Sequence, residues 1–442
     1  MRKPRIGQQR QSDLPIILLI RRLSQLFSLY NPYMRPTRSV RTLLLGPTLA
    51  ALAVYGAWAY PSVFQRGLTL SKPGVESGYV VYAAADGNTY AIDVEGKVAG
   101  RWPSPQANSR SDYTRPLANG NLLARIKVNG NTKPANGDAI IEFTQDGREV
   151  WRYAPEGREI HHDHERMENG NTLVMCSREL DRPMISHRLL ADDCLIEVDP
   201  AGKIVWEWQT ADHFDDLELS NDTKAEIMKG YASRTGPGAP PPPRAMDYLH
   251  MNAASPIPAS AGHTDPRFRA GNVIVSYRFI NTIAVVDQTS KKIVWKMTAT
   301  TVGQHNPYFI PAGLPGTGHI LVFDNGNVEP NTNPMHIGSR SNSRVLEINP
   351  LDNWIVWEYT ADKSNRPLWS FFSHYISSAQ RQPNGNTLIC EGANGRFFEV
   401  TPDGEIVWEY VNPFANAAAK IPDYTVFRAA KVPESWLKSR SR

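Results

Sequence analysis

Cysteine is scarce in this chain, with three residues in 442, at positions 176, 194 and 390. Three thiols cannot build the disulfide framework that staples small secreted domains, so packing must hold the fold together. Cys176 and Cys194 are placed to sit on neighbouring strands of one sheet, either bonded in an oxidising compartment or left as buried thiols, and Cys390 reads as a core residue. Histidine is also sparse, at 11 residues. Acid is nearly absent from residues 1–41, where nine Arg and Lys face Asp13 alone. Without that leader the chain has 39 basic and 43 acidic residues, which leaves no nucleic-acid footprint. Charge is missing altogether from residues 42–65, TLLLGPTLAALAVYGAWAYPSVFQ, a run long enough to cross a membrane as a helix.

The basic residues before that run make 1–41 a cytoplasmic leader and 42–65 an inner-membrane anchor, with the remainder in the periplasm. The same run also fits a secretory signal cut after Ala57-Trp58-Ala59, which would release the chain to the periplasm. The long leader and the long apolar run favour the anchor. Met34 opens a shorter leader, MRPTRSVRTLLLG, and is an alternative start.

With 34 Pro and 31 Gly, the composition favours many short strands joined by turns and few helices. One phrase recurs six times: GKVAGRWP from Gly96, GREVWRYA from Gly147, GKIVWEWQ from Gly202, KKIVWKMT from Lys291, WIVWEYT from Trp354 and GEIVWEYV from Gly404. A second precedes each copy: GYVVYAA from Gly78, NGNLLAR from Asn119, NGNTLVM from Asn169, GNVIVSY from Gly271, GHILVFD from Gly318 and NGNTLIC from Asn384. Between them lies a short apolar strand such as AIIEF or RFFEVT, and Asn-Gly or Asp-Gly pairs supply the tight hairpin turns. Each unit is therefore a four-stranded antiparallel meander. Six of them make an all-β, six-bladed β-propeller over residues 74–437, preceded by the transmembrane or signal segment.

Three further expectations follow. The first unit lacks a strand before GYVVYAA, so the tail TVFRAAKV (Thr425–Val432) supplies it and closes the ring, removing free sheet edges. The recurring Trp151, Trp206, Trp295, Trp357 and Trp408 fall on the outermost strands and pack between blades. The interval 210–270 carries an acidic stretch, a candidate helix and the extended linker TGPGAPPPPR, which together read as a rim or lid insertion or else a passive surface loop.

The innermost strand of every blade faces the axial channel, so residues far apart in sequence meet there. Inner strands begin at SDYTRPLAN, HHDHERMEN, DYLHMNAAS, QHNPYFIPA and SHYISSAQR, and four of these five carry His near the start: His161 or His162, His250, His305 and His374. Converging imidazoles imply metal ligation, proton transfer or nucleophilic catalysis. In a regular strand His162 and His164 would share one face, with His161 and Asp163 on the other.

DYLHMNAAS with NVIVSYRFINTIAVVD and KKIVW, then QHNPYFI with GHILVFDNGN and SRVLEINP, then SHY before PNGNTLI, is similar in motif and order to the bacterial arylsulfotransferase family, over about Gly78 to Leu437. The resemblance implies transfer of a sulfuryl group from a phenolic sulfate ester to a phenolic acceptor, through a covalent sulfohistidine and without a nucleotide sulfate donor. It implies His374 as nucleophile, with His250 and His305 as its catalytic partners. Arg344, Arg278, His162 and Asn252 are the candidates for holding substrate. No metal or other cofactor is called for. The family's active-site arginine is expected shortly after the Asp324-Asn325-Gly326 turn, where this chain runs into NVEPNTNP; Arg340 and Arg344 come next, and Arg278 in SYRFINT is another candidate.

Two other classes compete. A quinoprotein dehydrogenase shares the GKIVWEW-like repeat, but such propellers have eight blades and many carry adjacent cysteines. A non-catalytic propeller scaffold fits the repeat equally well, yet has no need of axial histidines.

Overall fold

The computed structural model describes residues 65–128, 138–230, 244–327, 333–335, 337–416 and 422–437. The leader 1–41 and the apolar run, apart from Gln65, lie outside the described residues, as does most of the proline-rich linker, within 231–243. Among the described residues no helix is long and apolar enough to cross a membrane.

Six antiparallel sheets follow one another along the chain, each ordered from the innermost strand outward. Blade two is Ser109–Pro116, Leu122–Val128, Ala139–Phe143 and Glu149–Tyr153; blade three is Glu159–Arg166, Thr172–Leu180, Leu190–Val198 and Ile204–Gln209. Blade four is Met251–Pro256, Val273–Tyr277, Thr282–Val286 and Ile293–Thr298; blade five is His305–Phe309, Ile320–Asp324, Arg344–Asn349 and Trp354–Tyr359. Blade six is Ser378–Arg381, Thr387–Glu391, Arg396–Val400 and Ile406–Val411. In blade one the C-terminal strand Ala429–Val432 is the inner strand and pairs with Tyr79–Ala83, in the register Tyr79 opposite Val432. The ring thus closes as the missing first strand required. A second closure has no counterpart in the repeat pattern: Gly67–Ser71 adds a fifth strand outside blade six, with Ser71 opposite Trp408.

The recurring tryptophans do more than pack. Each donates its indole N–H to the outer hairpin of the next blade: Trp151 to Pro200 O at 3.1 Å, Trp206 to Gln288 O at 2.8 Å, Trp295 to Asn353 Oδ1 at 3.0 Å, Trp357 to Pro402 O at 2.7 Å and Trp408 to Val94 O at 2.9 Å. Blade one has Gly100 where the others have Trp. Its Trp102 stands two residues later, folds back so that its ring fills the space a Gly100 Cβ would need, and reaches Gln145 O at 2.8 Å. A side chain at Gly100 would evict that ring.

A second tie runs nearer the axis. Buried third-strand glutamates accept from the last Asn of the Asn-Gly-Asn turn in their own blade, as Glu142 does from Asn121 (2.7 Å) and Glu399 from Asn386 (2.6 Å). Both also accept from the next blade, Glu142 from Arg166 (2.7 Å) and Glu399 from Lys431 (2.6 Å), and Glu347, held in its own blade by His319 instead, accepts from Arg381 (2.5 Å). A buried carboxylate is tolerated only when so paired.

Cys176 and Cys194 face each other on adjacent strands of blade three as a disulfide, and Cys390 is buried. The insertion after blade three opens with a 3-10 segment Thr210–Leu217 and a helix Asn221–Lys229, capped by Ser220 accepting from the Thr223 amide. It returns through Met246–Asp247, parallel to the third strand of blade three, and so delivers His250 to the axis.

Trp408→Phe keeps most of the ring but strands the Val94 carbonyl, and should cost about 1–2 kcal/mol. Trp408→Ala should cost about 3–5 kcal/mol. Urea midpoints measure both, and an unchanged midpoint in Trp408→Phe would contradict the tie.

Candidate active site

Four inner strands enter the axis through a residue in the left-handed region: His162 (φ 52°), His250 (φ 54°), Asn306 (φ 53°) and Ile376 (φ 50°). For non-glycine residues this costs on the order of 1–3 kcal/mol each, and such strain persists only where surrounding structure enforces it. The four histidines do not share one register. His162 and His250 occupy the left-handed position, His305 precedes it by one residue and His374 by two.

The left-handed turn corrects the strand-alternation expectation for His162 and His164. The ladder of blade three is irregular at this point. As a result consecutive residues meet, with His161 Nδ1 and His162 Nδ1 2.8 Å apart. His164 instead is buried, packs on Tyr113 and donates Nε2–H to Leu123 O at 3.0 Å; burial, foremost, pushes its imidazole down to about 3.

His162 and His250 pack edge to face with ring centres 4.8 Å apart, and His250 stacks on Phe279 at 4.7 Å. His250 Nδ1 lies 2.5 Å from Asp247 Oδ2. His161 Nε2 lies 3.1 Å from Asp193 Oδ1, an ion-pair separation without hydrogen-bond alignment, and Asp193 Oδ2 accepts the Met251 amide at 2.7 Å. Burial, then the neighbouring His250, His161 and Arg125, hold His162 well below the usual imidazole value. Burial and then Arg278 do the same for His305. Both rings are neutral at neutral pH.

His305 is buried and engaged through both nitrogens. Nδ1 donates to Asn325 Oδ1 at 2.7 Å, and Nε2 accepts the Ile376 amide at 3.1 Å. Asn325 also donates to Ser373 O (2.7 Å) and Ile376 O (3.0 Å), so the Asp324-Asn325-Gly326 turn clamps the bend that carries His374. His374 itself is exposed, its ring against Tyr375 (4.5 Å) and Phe372 (6.4 Å). Its carbonyl accepts from Arg278 Nη2 at 3.2 Å, while the Arg278 amide donates to His250 O at 3.0 Å. Arg278 therefore joins blades four and six at the mouth.

The other candidates lie elsewhere. Arg344 spends Nε on Asp324 (2.6 Å), Nη1 on Glu358 (3.0 Å) and Nη2 on Thr300 O (2.7 Å), and Arg340 shares the same Asp324 oxygen. Such a guanidinium is committed to the fold. Asn252 is buried, donating Nδ2–H to Gln304 O at 2.8 Å, while its backbone carbonyl accepts from Arg428 and its Oδ1 has no hydrogen-bond partner.

Beneath the histidines a charged plug crosses the axis. Asp163 Oδ2 is 2.5 Å from Arg428 Nη1 and its Oδ1 is 2.9 Å from Arg115 Nη2. Burial opposes ionisation, yet the two guanidiniums outweigh it and hold the carboxyl below its ordinary range. Asp193, Arg428 and Arg125 were not singled out by sequence reasoning, and Asp163 was read only as sharing a strand face with His161. Asp247, three residues before His250 in DYLH, carried the readable signal. Among the described residues no three His, Cys, Asp or Glu are arranged to hold a metal ion.

A family model described as arylsulfotransferase (ASST) matches residues 117–413, from the second strand of blade two to the end of blade six. The chain belongs to the arylsulfotransferase family. Sulfuryl transfer involving aryl sulfates and phenols is thus the chemistry its mouth must be measured against, and the ring of histidines lies inside the matched span apart from the Arg428 strand that seals it. No curated protein matches the chain. Solved structures resemble it distantly: a protein of unknown function from Bacteroides caccae (12% identity, covering 80% of this chain and 98% of that one, TM-score 0.47) and a streptogramin B lyase (13%, 79% and 88%, TM-score 0.40). The WD40 β-propeller domain of Doa1 stands at 10% identity, 79% and 88% coverage and a TM-score of 0.37. None of these likenesses bears on function.

Asp163→Asn should leave Arg428 without its carboxylate partner and Arg115 with Glu165 alone, and cost about 3–5 kcal/mol near neutral pH. Because the folded state lowers this carboxyl's pKa, its contribution is complete above about pH 4 and is lost as pH falls. The gap in denaturant midpoint between wild type and variant should therefore shrink toward pH 3; a constant gap would refute the pairing.

Proposed function

We propose that the chain moves a sulfuryl group from a phenolic sulfate ester to a phenolic acceptor through a covalent sulfohistidine, with no nucleotide sulfate donor. The observation that supports it is the meeting, at one mouth, of imidazoles from blades three, four and five, those of His162 and His305 neutral, with the Arg278 guanidinium. A neutral imidazole has the free lone pair that nucleophilic attack on sulfur needs. Attack forms the N–S bond as the S–O bond breaks, and the leaving phenolate takes a proton from a neighbouring acid. Arg278 and the imidazole N–H groups suit the non-bridging oxygens, which stay negative throughout. Phe279, Phe427 and Tyr375, each beside one of the histidines, offer aryl-packing surface.

Within this reading the resemblance gives the nucleophile's part to His374, whereas the geometry favours His305. His305 has its tautomer set by Asn325, which directs the lone pair to Nε2, and it sits among the cations; His374 faces solvent beside aromatic rings. Attack from His305 requires the Ile376 amide to give up its 3.1 Å bond, in a bend already strained at Ile376. His374, on that bend, then governs how the aryl group enters. Arg344, committed to Asp324, Glu358 and the Thr300 carbonyl, is given no part in holding substrate in this reading.

The N-terminal run supports an inner-membrane anchor with the propeller in the periplasm, and the Cys176–Cys194 disulfide is in keeping with an oxidising compartment. A scaffold role would leave the Asp247-buttressed His250 without purpose.

Intact-mass measurement after mixing with a chromogenic aryl sulfate should show a gain of one sulfuryl group in wild type and in His374→Asn, and none in His305→Asn. Adduct lost from His374→Asn but kept in His305→Asn returns the nucleophile to His374. No adduct and no turnover in wild type ends the proposal. Arg278→Ala should lower kcat by about 10²–10³-fold.

A further inference from the structure

We propose that Asp193, His161 and His162 form a proton relay that draws the proton from the phenolic acceptor, with His161 the positioning residue between the two ends. This rests on the sulfuryl-transfer reading above. It concerns residues to which that reading gives no proton-transfer role.

Asp193 sits on the third strand of blade three, buried, with Oδ2 fixed by the Met251 amide at 2.7 Å. Its other oxygen is left for His161, whose Nε2 stands 3.1 Å away. A carboxylate only accepts, so Nε2 of His161 carries the proton and Nδ1 of His161 is the acceptor. The 2.8 Å contact between the two Nδ1 atoms then puts a proton on Nδ1 of His162. Nε2 of His162 is left unprotonated, as the base at the mouth. The left-handed backbone of His162 (φ 52°) is what brings two consecutive rings into this line, so its strain has a purpose.

During acceptor attack the O–H bond breaks as its proton joins Nε2 of His162. The Nδ1 proton of His162 passes to Nδ1 of His161, and the Nε2 proton of His161 passes to Oδ1 of Asp193. The phenolic oxygen forms the O–S bond while the N–S bond of the sulfohistidine breaks, returning its electron pair to the nucleophilic nitrogen. Acceptor transfer leaves the proton on Asp193, and the next donor half-reaction starts from that form: the relay runs backward, His162 Nε2 gives the proton to the leaving phenolate, and the resting tautomers return. The Asp193–His161 contact is not aligned at rest and tightens as charge moves, as catalytic hydrogen bonds commonly do.

The surroundings suit the task. His250, His161, Arg125 and His305 face His162, and these neighbours, after burial itself, disfavour a resting positive charge there. Asp193 faces His161 and Asp247, with Asp192 next to it in the chain bound to Tyr248 and Gln209. Burial pushes the Asp193 carboxyl up against the pull of His161, which makes it a better proton terminus than an exposed aspartate. The neighbouring Cys194 ties this strand to Cys176 and so fixes where Asp193 stands.

The test compares wild type, Asp193→Asn and His161→Gln on acceptor phenols with pKa values from about 7 to 10. His161→Gln leaves the Asp193–Met251 bond intact and covers the event that Asp193→Asn folds poorly. With a donor ester whose leaving phenol is itself ionised at the assay pH, so that its departure needs no proton, both variants should lose about 10²-fold in kcat on weakly acidic acceptors and less than about 3-fold on acceptors already ionised. Deficits equal across the series would mean a merely structural role and overturn the relay. Nitrogen-15 NMR of labelled histidine gives a readout independent of activity: His162 should be the Nδ1–H tautomer in wild type and lose that preference in both variants. An unchanged tautomer overturns the proposal. If wild type transfers no sulfuryl group yet its tautomer responds as expected, the function reading falls and the relay geometry stands.

Discussion

Six indole N–H groups, one from each blade, reach across to the outer hairpin of the following blade, and the last, from Trp408, returns to Val94 in the first. Everything at the axis depends on that circuit. A propeller blade has little to fix its angle beyond the apolar packing of one sheet on the next, which is non-directional. A hydrogen bond at the rim, with a Glu–Arg or Glu–Lys pair further in, turns that packing into a defined rotation. Only when each rotation is held can inner strands separated by dozens of residues bring His162 and His250 into contact and place His305 within electrostatic reach of both.

The axis is then organised in two levels. Below, Asp163 binds Arg115 and Arg428 and neutralises part of the charge that three inner strands bring together. Above, burial first, and then Arg125 beside His162 and Arg278 and Arg428 beside His305, keep those two imidazoles unprotonated. A site so built sets two neutral imidazoles among fixed positive charges, which suits an anion approaching a nucleophile. The closing strand supplies Arg428, so ring closure and site electrostatics are one event.

Much of this was legible before any coordinates. The two recurring phrases marked the strands, the Asn-Gly-Asn turns marked the hairpins, and the missing first strand pointed to the C-terminal tail. The tryptophan of blade one was not legible, because Gly100 occupies its place and Trp102 reaches the partner by folding back. The strand Gly67–Ser71 was missed because it adds to an edge and repeats nothing. At the site, a histidine near the head of each inner strand was visible, but a difference of one or two residues in register was not. That difference leaves His374 on an exposed bend and buries His305. Arg344 looked available because its charge is obvious in sequence, while Asp324, Glu358 and the Thr300 carbonyl that consume it are not.

Sequence alone determined the blade number, the strand pattern, the circular closure and the family, since each is written in local periodicity or in motif order. Tertiary structure alone decided which imidazoles are neutral, which guanidiniums are committed, and how Asp193, His161 and His162 line up. Those properties depend on burial and on separations of a few ångströms between residues such as Arg428 and Asp163, which stand 265 positions apart in the chain. Coulomb energy and desolvation change steeply over such distances, and no pattern along the chain encodes them.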